Sequence, residues 1–175
     1  MRYALTYGGI AGGIAIAIIA ATIALDLSSH GTGSVFFGYL IMLVALSLIF
    51  VGVKRYRDVE CGGVVGFGRA FGLGLGMAMV AGAIYVIGWE TYLAASGKDF
   101  MAGYAEGIAS SMRAEGASQA AIDAELAKLS ALAVSYRNPL FRLPITFIEI
   151  FPVGLLVALV SAALLRNPKL LPARA

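Results

Sequence analysis

Four long apolar stretches, at residues 4–25, 35–53, 70–95 and 143–165, constrain this chain more than any other feature. The hydrocarbon core of a bilayer is about 30 Å thick, and a helix needs about 20 apolar residues to cross it. Each stretch meets that length. In lipid the backbone must satisfy its own hydrogen bonds, and a helix does so within one segment. The expectation is an all-α polytopic membrane protein with four transmembrane helices, built as a single membrane domain over residues 1–175. Charge usage agrees: 13% of residues are charged, against about 25% in soluble domains.

The net charge is +3, but nucleic acid is not the expected partner. The basic residues lie beside the spans, where topology explains them. The lone Cys61 excludes an internal disulfide and a cysteine-based metal cluster. The first stretch imitates a signal peptide, with Arg2, an apolar run and then Ala20, Ala21 and Ala24. Its length exceeds the roughly 7–15 residues of a signal core, so a retained helix is expected.

Lysines and arginines in loops orient a membrane protein. The loop at 26–34 has none. The next, 54–69, holds Lys54, Arg55, Arg57 and Arg69, and the tail holds Arg166, Lys169 and Arg174. With Arg2, these place both termini in the cytoplasm of a bacterial inner membrane. The long connection 96–142 then lies in the periplasm, its basic residues offset by Asp99, Glu106, Glu115, Asp123 and Glu125.

Residues 99–137 read as an extramembrane helical hairpin between the third and fourth spans. Asp99 suits an N-cap. Met101, Tyr104, Ile108 and Met112 recur at helical spacing. Gly116 can end the first arm in a left-handed conformation, and Ser118 can cap the second. Ile122, Leu126, Leu129, Ala133 and Tyr136 form one stripe at heptad-like spacing. Asn138-Pro139 ends that arm, because the residue before proline avoids the helical region.

Glycines recur four apart at Gly8/Gly12, Gly9/Gly13 and Gly68/Gly72/Gly76. Such spacing lets membrane helices approach to backbone contact. Packing inside one bundle is the preferred reading, with a homodimer face as the alternative.

Several signatures follow one another in order: Tyr7-Gly8-Gly9, then Gly52-Val53-Lys54-Arg55-Tyr56-Arg57-Asp58, then Phe67-Gly68-Arg69-Ala70-Phe71. Gly88-Trp89-Glu90 comes next, and Phe147-Ile148-Glu149-Ile150-Phe151-Pro152-Val153-Gly154 completes the series. This order resembles the bacterial membrane-protein family known as domain of unknown function 4199. The resemblance covers nearly the whole chain. It implies a small bacterial membrane protein with four spans and a helical insert before the last. It implies no activity, cofactor or catalytic residue.

Two carboxylates, Glu90 and Glu149, lie inside apolar stretches. Ionisable residues at such positions are functional candidates by default. With the orientation above they share a leaflet, at depths of about 8 and 10 Å, alongside Tyr85, Trp89, Tyr92 and Thr146. One reading is a shared cation or proton site. The other is structural pairing, with a partner such as Arg142. Pro152 removes the bond to the Ile148 carbonyl and should kink the last span.

Lys54, Arg55 and Arg57 read as a membrane-surface anchor, by plain topology or by binding anionic lipid. His30 and Cys61 fall on opposite membrane faces, so a metal site is not expected. No nucleotide-loop, G-x-S-x-G or H-E-x-x-H pattern occurs. The expected function is therefore a non-enzymatic accessory or scaffold subunit, without cofactor or metal. Its partners would be membrane lipids, further copies or other membrane subunits. The alternative is a small transporter or ion-handling protein using Glu90 and Glu149.

Overall fold

The computed structural model describes residues 1–24, 35–96 and 99–172. The loop at 26–34 with His30, together with Lys98 and Arg174, lies outside the described residues. Among these residues seven helices follow in order: α1 (Arg2–Ala24), α2 (Val35–Leu46), α3 (Leu48–Glu60), α4 (Phe67–Ser96), α5 (Phe100–Ala114), α6 (Gln119–Tyr136) and α7 (Pro139–Leu165). No strand occurs among the described residues. Four helical segments among the described residues are long and apolar enough to cross a membrane: Arg2–Ile23, Phe37–Glu60, Phe67–Ser96 and Pro139–Leu165.

The second of these departs from the sequence expectation. It runs on to Glu60, so Lys54, Arg55 and Arg57 occupy the last turns of a helix rather than a loop. Hydropathy falls at Lys54, but helicity persists because Lys54 pairs with Asp58 one turn on, at 2.5 Å. Ser47 separates α2 from α3. Its N–H is shared between the Leu43 and Val44 carbonyls, and its hydroxyl donates to Val44 O at 2.6 Å. Back-bonding of this kind bends helices without ending them.

The chain divides into two compact units, residues 1–89 with 146–175 and residues 90–145. Both α4 and α7 run through the division.

The first unit is held by small residues. A Cβ on Gly8 would lie 2.5 Å from the Met77 carbonyl oxygen, and one on Gly12 would strike the backbone of Ala81. Ile16 in turn fills the space at Gly88. Contacts that advance together along both helices make α1 and α4 parallel. Against α7 the order reverses: Gly74 meets Ala158, Ala78 meets Gly154 and Gly82 meets Phe147. These two helices are antiparallel, and their small side chains alternate so that each notch receives the other's methyl. Met42, Leu46, Ile49, Val53 and Met77, each at most 2% exposed, fill the centre. Without an apolar solvent contrast between helices, such close packing is what lipid-embedded helices rely on.

One glycine set differs from expectation. Gly9, Gly13, Gly68 and Gly72 have open space where a Cβ would stand. Of the two overlapping pairs on α1, Gly8/Gly12 faces inward and Gly9/Gly13 does not. On α4 the tight register is Gly74, Ala78 and Gly82 rather than Gly68 and Gly72.

In the second unit α5 packs on α6. Asp99 accepts the Ala102 N–H at 3.1 Å and Ser118 accepts that of Ala121 at 3.3 Å, as N-caps do. Gly116 closes α5 at φ +78° while the Ala117 N–H returns to Met112 O at 2.9 Å. Ile122 and Leu129 are buried at 1% and 8%, and Leu126, Ala133 and Tyr136 are half-buried along the same stripe. On α5, Met101 and Ala109 are the buried side chains, whereas Tyr104 is 42% exposed. Asn138-Pro139 does more than stop α6. The Asn138 side chain accepts the Leu140 N–H at 3.0 Å and Pro139 opens α7, the first-turn position that proline favours.

Candidate functional site

Three charged features stand out among the described residues of the apolar helices. The first is Arg57, near the end of α3. Its side chain is fully buried. Nε donates to the Asp58 carboxylate at 2.8 Å, while Nη1 and Nη2 donate to the Leu170 and Leu171 carbonyls at 2.9 and 2.5 Å. The guanidinium thus clamps a chain segment more than a hundred residues away. Leu171 has φ 49°, a left-handed conformation that costs a branched side chain energy, and the fork supports it from two sides. Lys54 is half-buried on Asp58, and only Arg55 of the trio is exposed. The surface role expected for all three thus meets a buried Arg57. Asp58, next in sequence, was the available signal of pairing. The carbonyl contacts had none, because backbone acceptors leave no trace in sequence.

The second feature lies in the 90–145 unit. Arg142 donates to both oxygens of Glu90, from Nε at 2.6 Å and from Nη2 at 2.5 Å. Nη1 donates to the Tyr136 carbonyl at 3.1 Å, and the guanidinium carbon sits 5.6 Å from the Tyr136 ring centre. Arg142 is 16% and Glu90 29% exposed. A forked arginine–carboxylate pair is the strong, geometrically specific form of such a bond. It joins α4 to the start of α7 and anchors the end of α6 to both. Beside it is a cavity of about 360 Å³ lined by Leu93, Asp99, Phe100, Tyr136, Arg137 and Arg142. Its walls carry both charge signs and two aromatic rings. Asp99 and Arg137 approach to 3.9 Å at its rim.

Glu149 is the third feature and belongs to the other unit. It stands ten residues into α7, about 15 Å along the helix axis. The inward face of α7 is marked by Thr146 and Ile150, exposed by 3% and 1%. Glu149 is exposed, away from that face, and has no hydrogen-bond or ion-pair partner among the described residues. Tyr85 and Trp89 are buried in the same unit, at 2% and 5%. The candidates therefore separate: Glu90 is joined with Arg142, while Tyr85, Trp89, Thr146 and Glu149 fall in the first unit. The charge of Glu90 is already compensated, so a second carboxylate is not needed to account for it.

Four apolar helices of spanning length, interrupted by these polar positions, define a polytopic helical protein of membrane type. The chain belongs to the family described as "Protein of unknown function (DUF4199)", whose model matches residues 6–167. No curated protein and no solved structure matches it.

Proposed function

We propose that the protein is a non-enzymatic accessory or scaffold subunit of a bacterial inner-membrane assembly, with copies of itself or with other membrane proteins. Glu149 carries this reading. A carboxylate deep in an apolar helix is costly unless it meets a partner or a polar cavity. This one is exposed and has no hydrogen-bond or ion-pair partner among the described residues. A cationic or hydrogen-bonding group on a neighbouring subunit would complete it. Tyr104, Leu132 and Val134, exposed by 42%, 40% and 73% in the 90–145 unit, add apolar surface suited to the same purpose. In this reading α5 and α6 form a periplasmic hairpin, and both termini are cytoplasmic.

Affinity purification from native membranes, with identification of the co-purifying chains, tests the proposal. The full-length protein should retain a partner or a second copy, and Glu149→Leu should lose it while still inserting. Equal recovery with both chains would end the role assigned to Glu149. A second reading rests on the same carboxylate, which lies three residues before Pro152. Proline has no N–H for the Ile148 carbonyl to accept, and backbone freed beside an ionisable group is a feature of ion carriers. Proton uptake by proteoliposomes that disappears in Glu149→Gln would favour transport over scaffolding.

A further inference from the structure

We infer that the groove between the start of α1 and the first half of α4 binds one acyl chain of an anionic phospholipid, with the headgroup phosphate held at Arg69. The groove has a volume of about 330 Å³ and is lined by Met1, Ala4, Leu5, Gly72, Leu73, Gly76 and Val80. Every lining side chain is apolar. From Gly72 to Val80 the floor runs roughly 12 Å along α4, a length suited to part of a lipid tail. Gly72 forms an open notch, with nothing within 4 Å of where its Cβ would stand. Leu5 on the opposite wall is 63% exposed.

Charge decides the headgroup. Arg69 lies one turn before Gly72 and Leu73, on the face of α4 that continues to Gly76 and Val80. It is exposed and has no hydrogen-bond or ion-pair partner among the described residues. Arg2 adjoins the other wall, is 83% exposed, and lies 3.6 Å from Glu60 and 5.7 Å from the Tyr3 ring centre. An apolar trough with the exposed Arg69 one turn before it on the same helix face complements a molecule with a hydrocarbon tail and an anionic head. Arginine suits phosphate because its fork can give two parallel hydrogen bonds. A second transmembrane helix would fill the trough but leave Arg69 without a counter-charge. That favours lipid as the occupant.

This inference rests on membrane insertion of α1 and α4 but not on the subunit role of Glu149. Loss of partner co-purification would leave it intact. Native mass spectrometry of the full-length protein in detergent tests it, with phosphatidylglycerol or phosphatidylcholine added in equal amounts. Wild type should retain one phosphatidylglycerol in preference to phosphatidylcholine. Arg69→Gln should reduce that preference roughly fivefold without removing tail binding. Gly72→Leu, which fills open space, should displace both lipids without lowering the melting temperature. Lipid retention unaltered by either variant would overturn the assignment. So would a lipid-free dimer that Gly72→Leu converts to monomer, since that result gives the groove to a second copy.

Discussion

Replacing Arg57 with methionine isolates the clamp between α3 and residues 170–171. Methionine keeps much of the buried side-chain volume and removes all three donors. Hydrogen bonds from a charged donor contribute about 1.5–3 kcal/mol each. The Leu170 and Leu171 carbonyls belong to residues that are 36% and 51% exposed, so water recovers part of what they lose. Asp58 keeps Lys54 at 2.5 Å. The net cost should therefore fall at about 2–4 kcal/mol, below the sum of three full bonds. For a chain of this size that corresponds to a fall in Tm of about 4–16 °C. Arg57→Lys should sit between the two, because an ammonium keeps the charge but lacks the fork. Thermal unfolding in detergent gives the stability, and limited proteolysis reports release of the segment after Arg166. If Arg57→Met melts with wild type and its tail is cut no faster, the clamp contributes nothing and the reasoning fails.

Three further outcomes are expected. Glu90→Gln and Arg142→Met should be strongly non-additive, with a coupling of about 1–3 kcal/mol in a double-mutant cycle; additive effects would reduce the forked pair to an incidental contact. Gly12→Ala should destabilise by pressing on the Ala81 backbone, whereas Gly13→Ala, with open space, should gain up to about 1 kcal/mol from helix propensity. Matched melting temperatures for the two would refute the inward assignment of Gly8/Gly12. Leu129→Asp should loosen α5 from α6 and hasten cleavage near Gly116 while the apolar helices still insert, and unchanged proteolysis would show that the stripe is not packed.

The helices were legible because two signals are local. Hydropathy marks the apolar runs, and the end signals at Asp99, Gly116, Ser118 and Asn138-Pro139 act within a few residues of themselves. Hydropathy failed at 54–60, where an amphipathic turn with its own ion pair extends the helix beyond the apolar run. Glycine spacing announced close approach but not which face approaches. Gly8/Gly12 and Gly9/Gly13 are indistinguishable in sequence, and only the position of Met77 and Ala81 separates them. The site was less legible. Arg142 was visible as one possible partner for Glu90. The orientation of Glu149 was not visible, because an outward and an inward carboxylate look alike on an apolar helix. The target of Arg57 is backbone, which no side-chain pattern encodes.

The parallel contact of α1 with α4 also bears on how the molecule is made. Ala81 follows Gly12 by about seventy residues, which ribosomes add in roughly 3–14 s. Throughout that interval the first helix resides in the bilayer beside α2 and α3 with its Gly8/Gly12 notch unfilled. The first helix can already pack on α2 and α3, but its contact with α4 must wait. That helix must remain available, without pairing with other glycine-rich helices nearby, until the third apolar segment arrives. Separate insertion followed by later docking is the general route for membrane helices. Here α4 closes on a notch that is made long before its match is translated.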